Sequence, residues 1–80
     1  MLVVLILCGL KFIIFTDKGQ DQPLHIHVQS EDGDQARIDI ETAEVVENLG
    51  LNDEDLQTAR NAVVEYKADF LKAWKEYFGA

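Results

Sequence analysis

The sequence predicts an α+β fold: a small antiparallel sheet of about four strands, at 2–8, 11–16, 24–29 and 35–41, packed on one long C-terminal helix at 53–78. Three observations carry this expectation. Apolar and polar residues alternate strictly through 24–29 and 35–41, as in strands buried on one face. Apolar residues recur every three or four positions from Leu56 onward, as on one face of a helix. Gly9, the "DKGQDQP" stretch and "SEDGDQ" punctuate the chain where turns are needed.

Residues 2–8, "LVVLILC", form a β-branched-rich run that stops at Gly9, and 11–16, "KFIIFT", form a second. They read as a hairpin or one bent strand. Both runs are apolar on both faces, so one face is expected to meet a helix and the other a subunit or a loop.

In the third strand Leu24, Ile26 and Val28 share a face, which leaves His25, His27 and Gln29 on the other. In the fourth, Ala36, Ile38 and Ile40 oppose Arg37, Asp39 and Glu41. A two-residue Asp32–Gly33 turn would set Val28 across from Arg37 and mix the faces, which a half-buried hairpin does not tolerate. A three-residue loop, Glu31–Asp32–Gly33, with Gly33 in the left-handed conformation, pairs Val28 with Ala36 and Ile26 with Ile38. It also sets His27 across from Arg37 and His25 across from Asp39.

Residues 43–48 fit either a short helical turn, with Ala43, Val46 and Leu49 on one side and Gly50 ending it, or a last strand. The helix that follows has Asn52 or Asp53 as its cap and Asp53, Glu54 and Asp55 at the positive end of its dipole. Its stripe of Leu56, Ala59, Val63, Tyr66, Phe70, Trp74 and Tyr77 or Phe78 is read as core packed on the sheet.

Eighty residues make one domain, 1–80, with a thin core, because a chain this short buries only about 60% of its unfolded surface. Fifteen acids against seven bases give a net charge of −8, which disfavours nucleic acid and anionic membrane surfaces and suits a basic partner protein. The opening "MLVVLILCGLKFIIF" lacks a basic n-region and a cleavage motif, and Gly9 and Lys11 interrupt it. It therefore reads as two strands, neither a signal peptide nor a span of roughly 20 residues. The single Cys8 cannot form an internal disulfide, which fits a reducing cytoplasm, and its apolar setting predicts a buried thiol.

The order "GLKFIIF", "QPLHIHV", "ARIDI", "LGLNDEDL" and "YKADFLKAWKEYFG" resembles a family of small uncharacterised bacterial proteins, a domain of unknown function. Its hallmarks are a Pro-x-His-x-His-Val strand and a C-terminal helix ending in Leu-x-x-Trp. In that resemblance Pro23, His25, His27 and Val28 carry the signature, and Gly9, Phe12, Gly50, Phe70, Leu71 and Trp74 are structural. Two departures stand out. Leu24 follows Pro23 where many members have a second proline, with Asp21 near the place of a further histidine, and Ile6 stands where a basic residue is frequent. The resemblance implies a two-gene cassette similar to toxin–antitoxin pairs, with a partner encoded by the adjacent gene. It implies no reaction and no cofactor.

His25 and His27 are candidate metal ligands, with Asp39 or Asp21 supplying a carboxylate, but tetrahedral sites take three or four ligands and no further histidine or cysteine pair joins them. His25 with Asp39 could serve as an acid–base pair, and neither Ser30, Thr16 nor Cys8 has an evident triad around it. A small metal-dependent enzyme using the His25/His27 face is the alternative. The favoured expectation is a non-enzymatic interaction module whose contact surface is Pro23, His25, His27, Arg37 and Asp39. Pro23 suggests an edge strand open to docking, and a homodimer burying the doubly apolar strands is a further expectation.

Overall fold

A computed structural model of the chain describes residues 2–14 and 25–78. Five strands come first, β1 (Leu2–Leu7), β2 (Leu10–Ile14), β3 (His25–Gln29), β4 (Gln35–Asp39) and β5 (Val45–Leu49). Two helices follow, α1 (Asp53–Glu65) and α2 (Lys67–Phe78). The sheet is antiparallel throughout and its spatial order is the sequence order, β1-β2-β3-β4-β5. The α+β class holds, with five strands in place of four and two helices in place of one.

The first hairpin is closed by the Leu7–Leu10 pair around a two-residue turn, Cys8 and Gly9, both left-handed (φ 53° and 77°). Positive φ at both central positions makes a turn whose twist matches that of the strands it joins. The tip of such a turn leaves the sheet, so Cys8 is exposed, contrary to the buried thiol expected from its apolar neighbours. A register shift between Val3 and Leu5 marks a bulge in β1.

The second hairpin has the expected parity. The Ser30 N–H donates to Asp34 O at 2.8 Å and the Gly33 N–H to Ser30 O at 3.0 Å, which closes a three-residue loop with Gly33 at φ 90°. Beyond it Val28 pairs with Ala36, His27 with Arg37, Ile26 with Ile38 and His25 with Asp39. One side of the sheet therefore gathers Leu10, Phe12, Ile14, Ile26, Val28, Ala36 and Ile38 into a buried cluster with Ala59, Ala62, Val63 and Phe70 of the helices. The rings of Phe12 and Phe70 stack at the centre of that contact, 5.6 Å apart and 24° from parallel. Offset stacking of this kind adds about 0.5–1.5 kcal/mol beyond the area it buries.

The open alternative at 43–48 resolves as strand. Val45 pairs with Ile38, Glu47 with Arg37 and Asn48 with Ala36. Two adjacent valines suit a pleated surface better than a single helical turn, and β4 offered a free edge. Asp39 builds the turn between them: its Oδ1 accepts the N–H groups of Glu41 (2.8 Å) and Thr42 (3.1 Å). With β5 in place, β3 is the central strand, which corrects the expectation of an edge strand after Pro23. Pro23 itself, with Asp21, Leu24 and Thr16, lies outside the described residues.

From β5 the chain turns into the helix at Gly50, whose φ is 110°. Asn48 brackets the bend, its Oδ1 accepting from the Leu51 N–H at 2.9 Å and its Nδ2 donating to Leu51 O at 3.0 Å. Asn52 is the cap, its side chain accepting the Asp55 N–H at 2.8 Å. The helix then breaks at Tyr66 (φ −104°, ψ 20°). No proline or glycine announces this break, so the apolar period alone reads as one rod. The interruption lets two segments follow the twisted sheet, with Ala59, Ala62 and Val63 buried from α1 and Phe70 from α2. Two cationic side chains tie the helices to the β4–β5 turn: Arg60 Nε donates to Ala43 O (3.0 Å) and Lys67 Nζ to Glu41 O (3.1 Å).

Two substitutions test this account. Phe70→Ala removes a fully buried ring and its stacking partner's contact, and is expected to lower the unfolding free energy by about 3–5 kcal/mol in urea titration. Gly50→Ala places a Cβ 2.8 Å from Asp34 Oδ1 at a φ that L side chains rarely adopt. A loss of about 1–3 kcal/mol in the same measurement is expected.

Candidate functional site

Alternation puts a second set of residues on the side of the sheet away from the helices. Since Phe12 pairs with Val28 on the core side, Lys11 and Ile13 stand on the other, opposite Gln29 and His27. Since Val28 pairs with Ala36, the rungs His25–Asp39, His27–Arg37 and Gln29–Gln35 stand there too. Glu47 of β5 and Ile6 of β1 complete it, across from Arg37 and Lys11. Among the described residues both helices pack on the opposite side, and no described element crosses this face. His25, His27, Gln29, Gln35, Arg37 and Asp39 are each half-buried, less exposed than a fully solvated face. Ile13 is buried here, outside the helix-side cluster.

Arg37, Glu47 and Asp39 on this face already hold partners. Arg37 Nη2 pairs with Glu47 Oε1 at 2.6 Å, both side chains partly exposed. That pair compensates the guanidinium that stands across from His27. Arg37 Nε is buried and has no hydrogen-bond acceptor among the described residues. A shielded donor left without a partner costs about 1–3 kcal/mol.

Asp39 lies opposite His25 as the register requires, yet its Oδ1 is occupied by two turn N–H groups. Its first role is therefore to shape the β4–β5 turn, which weakens both the acid–base pairing and the ligand set suggested by the sequence. His25 and His27, two apart on one strand, have Cα atoms roughly 6.5–7 Å apart. Among the described residues no group of three or more His, Cys, Asp or Glu is placed to hold a metal ion.

Two cavities, of about 170 and 390 Å³, open at the end of the sheet between the Cys8–Gly9 turn and the Glu31–Gly33 loop. The first is lined by Cys8, Ser30, Glu31, Asp32 and Asp55 among others, and the second by Lys11, Gln29 and Glu31. Ser30 Oγ accepts the Asp34 N–H at 3.1 Å, a loop-closing role. The structural residues fall where the fold needs them: Gly9 and Gly50 in left-handed turns, Phe70 in the core, and Trp74 half-buried against it.

The span from Gly9 to Lys75 matches the family described as Domain of unknown function (DUF4160). The chain belongs to that family. The matched residues, 9–75, take in the histidine strand, Gly50, Phe70 and Trp74, whereas β1 lies outside the DUF4160 match. No curated protein and no solved structure matches the chain. No helix of the described residues is long and apolar enough to cross a membrane.

Sequence reasoning missed Glu47, Lys11 and Ile13 as members of the open face. Glu47 could be placed only once β5 was assigned, and the other two required the β2–β3 register, which no short turn fixes. Asp39→Ala is expected to lower stability by about 1 kcal/mol through loss of the turn acceptor, and Asp39→Asn by less, because an amide oxygen still accepts. Thermal melts of the two variants check this order.

Proposed function

We propose that this DUF4160 chain is a non-enzymatic protein-interaction module, acting in the cytoplasm with a small partner protein encoded by the adjacent gene, in a pair similar to toxin–antitoxin cassettes. One observation carries the reading: the sheet face away from the helices brings together His25, His27, Arg37 and Asp39, with Lys11, Gln29 and Glu47, and no described element packs across it. Because β3 is paired with β4 along its length and with β2 from His27 to Gln29, a partner meets this strand through side chains. Strand addition is confined to the edges, β1 and β5.

The face suits recognition more than chemistry. Its ion pair is internal, between Arg37 and Glu47, and both of those side chains are partly exposed. Two imidazoles add donors and acceptors that neutral or charged forms present differently. An interface of this composition has its energy concentrated in a few partly desolvated groups, with arginine prominent among them.

Co-expression with the product of the adjacent gene is the test. The wild-type chain is expected to co-purify with it, and the double variant His25→Ala/His27→Ala to bind at least tenfold more weakly in calorimetry, with unchanged circular dichroism. Absence of a complex, or wild-type affinity in the double variant, rejects the reading.

A further inference from the structure

Among the described residues nothing pairs with the outer side of β1 or of β5, and the two edges differ in charge. At β5, Val46 and Leu49 are exposed, but the strand carries Glu47, follows Glu41 and Glu44, and leads into Asp53, Glu54 and Asp55 of α1. At β1, Val3 is 41% and Ile6 65% exposed, and the six residues "LVVLIL" contain no charge and no proline. Edges in folded proteins are ordinarily blunted by charged residues, prolines, bulges or coverage, and of these devices the described residues give β1 only its bulge.

The wider charge distribution says which occupant fits. Between residues 25 and 78 the sequence has thirteen acids against five bases, whereas between 2 and 14 it has one lysine and no acid. A basic protein is drawn to the acidic side, away from β1. Two copies of this acidic chain repel everywhere else, and meet with least repulsion along the uncharged edge.

We infer that β1 is a self-association edge, at which a second copy of the chain adds its own β1 antiparallel to form a continuous ten-stranded sheet. An antiparallel pair of identical strands is isologous, so each copy gives and receives the same groups. Its two-fold axis stands normal to the sheet, which leaves all the helices on one side and both open faces on the other. Val3 and Ile6 of the two copies then cover one another on the open side, extending the apolar patch that already includes buried Ile13. The two histidine strands are five strand spacings apart, about 24 Å. This inference stands on β1 alone, and it holds or fails independently of the partner proposed for the histidine face.

Sedimentation equilibrium of the full chain in reducing buffer provides the test. The expected mass is twice the 9.1 kDa of one chain. Ile6→Lys, and separately Val3→Lys, are expected to sediment as single chains with wild-type circular dichroism. Leu49→Lys at the other edge and Val64→Lys on α1, both exposed, are expected to leave the dimer intact. Amide exchange gives a readout without substitution: protection within Leu2–Leu7 should rise with protein concentration. A single-chain mass at the highest soluble concentration overturns the inference. So does a dimer that survives both β1 variants, one that Leu49→Lys or Val64→Lys dissociates, or β1 exchange independent of concentration.

Discussion

The loop Glu31–Asp32–Gly33 fixes the parity on which both sides of the molecule depend. With three residues between Ser30 and Asp34, every apolar residue of β3 faces an apolar residue of β4, and every polar one a polar one. One residue fewer would turn Arg37 and Asp39 toward Phe70 and expose Ile38, because side chains alternate with a period of two. The core and the candidate surface are thus two readings of one constraint. Gly33 makes it possible by holding a left-handed φ without strain.

That constraint was legible because it is local. Strict alternation in two short strands leaves one register that separates Ile26, Val28, Ala36 and Ile38 from His25, His27, Arg37 and Asp39, and the structure adopts it. The helix stripe was equally plain at Ala59, Val63 and Phe70. Other features depended on contacts that no short window contains. Val45–Leu49 pairs with the edge that β4 offers, and the helix breaks at Tyr66 with no proline or glycine to mark the place. Cys8 lies in an apolar run, but its place in the turn outweighs its neighbours' hydrophobicity.

The same distinction applies to the candidate site. Facing pairs could be read from alternation, yet the state of each charge could not. Arg37 is balanced by Glu47, a residue of the unassigned fifth strand, and Asp39 is held by its own turn. Once these are in place, the two histidines sit on a central strand, beside an ion-paired arginine and a hydrogen-bonded aspartate. The position of β3 presents side chains on a face rather than an unpaired backbone edge.

The strand order has a kinetic consequence. Among the described residues each strand pairs only with its neighbours in the chain. Loop closure between adjacent strands costs little entropy and grows slowly with loop length, so the sheet can zip outward from either tight hairpin. The helices close last in such a scheme, since Phe70 needs Phe12 already in its strand and Arg60 and Lys67 need the carbonyls of a formed β4–β5 turn. Until they dock, the side that becomes the core is as bare as the side that stays open, and the uncharged first strand is the part of the nascent sheet most ready to join a neighbour.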